Sequence, residues 1–322
     1  MVERPNKPKG LGVATPGLPP QAIVTFSDDN SRVRAELPTG ESVEVLLHGA
    51  TVISWKDAAG DEKLWLSSAA KLDGSKAVRG GIPLVFPVFG TAPDHEQTKQ
   101  LPQHGFARTS RWEFLGKSTS ESGLASGGAN VKLDFGLSSA AAGLDPLARE
   151  RWPFAFNLIY SVTLTRDSLA TGLVVTNDGE KPFDCQVLFH TYLRVDDIST
   201  VTITGLSSTP YLDKLLPAGT TSTPHPDPLT IAGETDRVYT PSSPSAEVVV
   251  SDAEGPKFRV TRDNLTDVVV WNPWIEKAKG MGDFEPKDGY KQMLCIEPGS
   301  VSGWTTLEQG DAFEGQQVIT LL

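Results

Sequence analysis

Apolar and polar positions alternate with a period of two along most of this chain, and that period belongs to β-strands. Ser42-Val43-Glu44-Val45-Leu46 alternates, and Thr51-Val52-Ile53-Ser54-Trp55 follows closely. Residues 158–164 and 169–176 flank the polar tetrad Thr165-Arg166-Asp167-Ser168, and Asn177-Asp178-Gly179 supplies the next turn. That arrangement is a hairpin signature. Further strands are expected at 186–195, 247–250, 257–261, 267–271, 293–297, 303–306 and 316–321. Helical periodicity is scarce, with one short helix expected at 144–152.

Many short strands, together with 30 Gly and 24 Pro, predict an all-β chain folded as a large antiparallel β-sandwich with few short helices. Residues 1–22 are rich in Pro, Gly and Lys without periodicity, so they are expected to be a flexible N-terminal arm. No linker divides the rest, and 23–322 is expected to be one domain. Residues 118–129 and 217–228, the latter with four prolines, are expected as long surface loops.

Composition narrows the partners. The net charge is −11, from 29 basic and 40 acidic residues. An acidic surface argues against nucleic acid and anionic membranes. Any anionic substrate would then have to be captured by a local cluster of Arg. Cys185 and Cys295 are the two cysteines, and each sits in an apolar run, so buried free thiols and a reducing compartment are expected. The N-terminus has no apolar signal region, and no stretch reaches the roughly 20 apolar residues of a membrane span. A soluble, cytoplasmic, monomeric protein is the expectation.

Five separated segments offer chemistry. They are Val78-Arg79-Gly80-Gly81-Ile82-Pro83, Gln103-His104-Gly105-Phe106-Ala107-Arg108, Phe189-His190-Thr191-Tyr192, Thr235-Asp236-Arg237 and Cys295-Ile296-Glu297-Pro298-Gly299. On a strand, His190 shares a face with Leu188 and Tyr192, opposite Phe189 and Leu193. Taken alone, a strand histidine is more often a core or surface residue than a catalyst. Glu297 ends an apolar run before Pro298-Gly299, which places a carboxylate at a strand end; its plain alternative is a turn residue. Arg79 precedes Gly80-Gly81, whose missing side chains would let a ligand approach the backbone. Arg79 and Arg108 are either surface ion-pair partners or a guanidinium clamp for an oxyanion. Trp271 and Trp274 serve either as an aromatic wall for a sugar or as core.

Together these segments, with Phe86-Pro87, Thr235-Asp236-Arg237-Val238-Tyr239 and Val270-Trp271-Asn272-Pro273-Trp274, resemble the aldose 1-epimerase (galactose mutarotase-like) superfamily. Within it they resemble the glucose-6-phosphate 1-epimerases. The resemblance runs from about Leu46 to the C-terminus. It implies a large antiparallel β-sandwich, with His190 as general acid and Glu297 as general base. It implies that Arg79, Gln103, Arg108 and Asp236 bind the substrate, with His104 a further contact. The implied reaction interconverts the α and β anomers of a hexose 6-phosphate by opening and closing the ring. It needs no metal and no organic cofactor. The rival readings are a mutarotase for unphosphorylated sugars and a non-catalytic sugar-phosphate-binding module. A cupin-like metal enzyme using His48, His104, His190 and Glu297 is a third, and it lacks the close His-x-His pair such sites usually carry.

Overall fold

The computed structural model describes residues 20–119, 130–217, 220–222, 228–243 and 246–322. Three sheets carry these residues, and every strand pairing within them is antiparallel. The expected hairpins form: Ser42–Leu46 pairs with Thr51–Lys56, and Phe156–Leu164 pairs with Ser168–Asn177. A nine-stranded sheet contains the second hairpin, and a four-stranded sheet contains the first.

An eight-stranded central sheet positions the site. Its order runs Thr221–Ser222, Tyr211–Asp213, Thr235–Tyr239, Asp267–Asn272, Met293–Leu307, Phe183–Phe189, Leu84–Val85, with Tyr192–Arg194 also on Met293–Leu307. Side chains alternate across a strand, so this sheet has two faces with different tasks. Phe189, Leu193, Val270, Leu294 and Ile296 pack into the main core with Leu133, Tyr160, Leu173 and Ile319 of the nine-stranded sheet. That is the sandwich. The opposite face carries Val85, Leu188, Tyr192, Val269, Trp271 and Cys295, packed with Trp65, Phe284 and Tyr290. The face assignment expected for the residues around His190 therefore holds.

Four expectations are corrected. The run 186–195 is not one strand: Phe183–Phe189 stops, and Tyr192–Arg194 resumes, around His190 and Thr191. Conversely, 293–297 and 303–306 are parts of one strand, Met293–Leu307, so Glu297 lies inside a strand and not at its end. Pro298-Gly299 reads as a breaker, yet Pro298 sits opposite Val268 and Gly299 opposite Leu188. A Cβ on Gly299 would come within 2.8 Å of Leu188 Cβ, so glycine permits the pairing. Just beyond it, Val301 N and Ser302 N donate to Asp267 Oδ2 at 2.7 and 2.8 Å. The 217–228 segment holds a two-residue strand, Thr221–Ser222, where only loop was expected. Helix Trp274–Gly280 was not expected at all; a single buried residue, Ala278, leaves no periodic signal.

The expected helix at 144–152 is Pro146–Arg151, started by Pro146 and by Asp145 Oδ1, which accepts from Leu147 N at 2.9 Å. Of the expected arm, 1–19 lie outside the described residues, as do 120–129 of the 118–129 loop and 218–219 and 223–227 of the 217–228 loop. No helix among the described residues is long and apolar enough to cross a membrane.

Candidate active site

Strand register brings the two central groups together. Leu188 stands opposite Gly299 and Tyr192 opposite Cys295. The register is continuous across the interruption, so His190 lies directly opposite Glu297. Directly opposed residues point to the same face. His190 Nδ1 lies 3.2 Å from Glu297 Oε1. On the other edge of the His190 segment, His190 N donates to Pro83 O at 3.0 Å and Tyr192 N to Gly81 O at 2.9 Å. That is how the Arg79–Pro83 segment reaches the site.

The same logic extends across the sheet. Tyr192 opposes Cys295, Cys295 opposes Trp271, and Trp271 opposes Asp236. Lys214 continues the row: its N donates to Asp236 O at 2.9 Å, one residue beyond the Asp213–Arg237 pair. A cavity of about 280 Å³ opens on this row. Arg79, Gln103, His104, His190, Asp236 and Glu297 all line it, joined by Phe89, Lys214, Val269, Trp271, Lys277 and Met281. Of the expected site residues only Arg108 is not among its lining. Arg108 stands behind Gln103, donating to Gln103 O at 2.9 Å, and its Nε is buried without a hydrogen-bond partner.

Burial sets the electrostatics. His190 and Glu297 are 7% and 1% exposed. Desolvation, followed by the charge of Asp236, pushes the Glu297 carboxyl well above its ordinary range. Desolvation, reinforced by Arg108 and Arg79, holds the His190 imidazole well below its ordinary range. Both shifts favour the uncharged forms, so the pair shares one exchangeable proton and titrates as a unit. Glu297 Oε2 is buried with no partner, an acceptor left open. His190 stacks on Tyr192 at 4.7 Å between centroids and 8° between planes. His104 meets the same imidazole edge-on at 5.8 Å.

His104 adopts a left-handed backbone, φ +67°. Its Nδ1 accepts from Gly90 N at 3.1 Å and its N donates to Gly90 O at 2.7 Å, a reciprocal pair that holds the strained residue. With Nδ1 accepting, the proton of the neutral ring sits on Nε2. Burial, then Arg108 and His190, keeps this ring neutral. His104 therefore offers the cavity a hydrogen-bond donor.

Among the cations, Arg79 is anchored: Nε and an NH2 nitrogen lie 3.3 Å from the two Asp283 oxygens, and the other donates to Tyr192 OH at 3.2 Å. Lys277 pairs with Glu234 at 2.9 Å. Lys214 has no carboxylate partner among the described residues; its ammonium sits 4.1 Å over the Phe89 ring. Lys214 was missed because Tyr211-Leu212-Asp213-Lys214 carries no motif; only its cross-strand place beside Asp236 marks it. Gly80 and Gly81 do not admit a ligand to the backbone. A Cβ at Gly80 would lie 2.5 Å from Trp65 O, and one at Gly81 2.1 Å from Val52 O, so protein backbone takes that space. His48 is remote from the others, bonded to Lys76 O at 3.1 Å and lining a different cavity, which breaks up the four-ligand metal set of the cupin reading.

The sequence model of the aldose 1-epimerase family matches residues 31–320. A Cenchrus ciliaris protein named "Putative glucose-6-phosphate 1-epimerase" is 36% identical over 276 residues, covering 85% of this chain and 79% of that protein. A Salmonella typhimurium protein of the same name is 32% identical over 252 residues, covering 78% and 77%. The crystal structure of a "putative mutarotase" from Salmonella typhimurium superposes with a TM-score of 0.77 at 26% identity, covering 94% of both chains. A galactose mutarotase-like protein from Clostridium acetobutylicum shares the fold at 17% identity and TM-score 0.67, covering 94% of this chain and 97% of that one.

Proposed function

The chain belongs to the aldose 1-epimerase family, and we propose that it interconverts the α and β anomers of a hexose 6-phosphate, most narrowly glucose 6-phosphate. The observation that carries this reading is the cross-strand pair His190–Glu297, 3.2 Å apart, facing a cavity also lined by Arg79, Lys214 and Lys277. The cavity, about 280 Å³, lies just below the roughly 300–1,000 Å³ that ligand pockets span. It suits one monosaccharide.

Anomerisation removes a proton from the anomeric hydroxyl and delivers one to the ring oxygen. Both oxygens sit on the same carbon, so adjacent acid and base groups serve the reaction. In the form that carries the shared proton on His190, Glu297 takes the hydroxyl proton and His190 protonates the ring oxygen, each contributing on the order of 10²–10⁴-fold. Ring closure on the other carbonyl face reverses both transfers, which restores the pair. Asp236, Gln103 and the Nε2–H of His104 bind hydroxyls. Arg79 and Arg108 hold the phosphate, and this remote binding orients the ring.

Saturation-transfer NMR between the anomeric protons of glucose 6-phosphate tests the pair. His190→Ala and Glu297→Gln should each slow exchange by about 10²–10⁴-fold while the proteins stay folded. Wild-type exchange in either variant removes that residue from the chemistry. The double variant Arg79→Ala/Arg108→Ala should lose the preference for glucose 6-phosphate over glucose. If the preference survives, a mutarotase for free aldoses is the better reading.

A further inference from the structure

The acid–base pair has a third neighbour that proton transfer does not use. Cys295 Sγ lies 3.8 Å from His190 Nδ1, and one ligand atom from each of His190, Cys295 and Glu297 falls within 4.8 Å of the others. We propose that these three side chains form a binding site for Zn²⁺, and that the ion shuts the enzyme off by occupying the acid and the base together. The binding stands on geometry alone; the shutting-off rests on the function proposed above.

An imidazole nitrogen, a thiolate and a carboxylate oxygen are the ligand types zinc prefers. Zinc holds N and O at about 2.0–2.2 Å and S at about 2.3 Å in a tetrahedron, which sets ligand atoms roughly 3.3–3.6 Å apart. The N···O and N···S separations here are 3.2 and 3.8 Å. Little has to move. Cys295 and Glu297 lie two residues apart on one strand, and His190 lies directly across in the break between two strands paired with it, its N held by Pro83 O at 3.0 Å, so the ligands are preorganised. A second observation points the same way: Glu297 Oε2 is buried and unpartnered, an acceptor with nothing to accept. Protein ligands number three, and the cavity leaves the fourth position for water.

The charge around the site tolerates a dication. Asp283 offsets Arg79 and Glu234 offsets Lys277. Arg108 and Lys214 then face Asp236 and Glu297. On binding, the thiol proton and the proton shared by imidazole and carboxyl leave to solvent. The imidazole lone pair and the carboxylate are then both engaged, and neither can exchange a proton with sugar.

Cobalt(II) reports the ligands directly, because thiolate coordination gives a near-ultraviolet sulfur-to-metal charge-transfer band. The wild-type protein with Co²⁺ should show the band, Cys295→Ala and Cys295→Ser should lose it, and Cys185→Ala should keep it; Cys185 is the other free cysteine. Anomer exchange, measured for each variant against its own zinc-free rate, should fall with micromolar Zn²⁺ and recover with EDTA. The half-inhibitory concentration should rise in Cys295→Ala by at least about 10–100-fold, the loss that follows removal of a group that merely supports a metal ligand. Wild-type protein without the band overturns the site, as does Cys295→Ala with unchanged zinc sensitivity. Should the wild type show no anomer exchange at all, the functional reading fails and the cobalt band alone decides the metal site.

Discussion

Glu297 illustrates what a reactive carboxyl costs a folded chain. It is 1% exposed, one oxygen has no partner, and burial makes its ionised form unfavourable. The sign follows from proton binding: the native carboxyl holds its proton above the ordinary value of 4.5, so the native state binds more protons than the unfolded chain. Stability therefore falls as pH rises from that ordinary value toward the raised one, by up to about 1.4 kcal/mol per pH unit. Glu297→Gln has no proton to lose. Urea denaturation should show the variant gaining on wild type between pH 5 and pH 8, even as exchange collapses. A gap that stays constant over that range contradicts the buried-acid account. His190 and Glu297 were legible as residue types beside apolar runs; their mutual distance was not, since it depends on register between segments over a hundred residues apart.

At the level of elements, the interruption at His190 and the continuity through Pro298-Gly299 are one device. Breaking the inner strand frees His190, while Thr191 Oγ1 ties the break to Gln317 Oε1 at 3.1 Å, in the nine-stranded sheet. The unbroken partner keeps Glu297 in register. Periodicity recovered roughly half of the strands, because burial on one face repeats every second residue, and passed over others such as Arg32–Glu36, Val131–Ser138 and Thr235–Tyr239. It failed at His190 and at Pro298-Gly299 because a backbone break and a tolerated proline are decided by neighbouring strands, Leu84–Val85 and Asp267–Asn272. Tyr192 joins the two tasks of the resumed strand: its ring supports His190 and its hydroxyl takes a hydrogen bond from Arg79. Tyr192→Phe keeps the ring and drops the hydroxyl. A hydrogen bond to a charged group is worth about 1.5–3 kcal/mol, so kcat/KM for glucose 6-phosphate should fall roughly 10–100-fold. The loss should appear in KM, with free glucose little affected. An equal loss for both sugars would show that the hydroxyl serves the chemistry and not the anion.

Across the whole molecule, charge is distributed against its mean. The chain carries −11, yet Arg79, Lys214 and Lys277 line one cavity, and Arg108 stands behind its Gln103 wall. Composition set only the condition that an anionic substrate would need a local cation cluster; which cations would be free was not legible, because ion pairing is a property of the folded surface. Two of the four are offset by Asp283 and Glu234. Lys214 is exposed, flexible in reach and held over Phe89 by an aromatic face alone. Its charge also acts on the chemistry: it lowers the proton affinity of Glu297, Asp236, His190 and His104 alike. Lys214→Met keeps the packing on Phe89 and removes the charge. Two effects should follow together. The KM for glucose 6-phosphate should rise about ten-fold, the loss of one charge-assisted contact of roughly 1.5 kcal/mol. Both limbs of the pH–rate profile should move upward, because each neighbouring group now keeps its proton to higher pH. The pH profile of free glucose separates the two roles: a shift there with no change in its KM assigns Lys214 to both the anion and the acid–base pair. A profile fixed in place for both sugars would confine Lys214 to the phosphate.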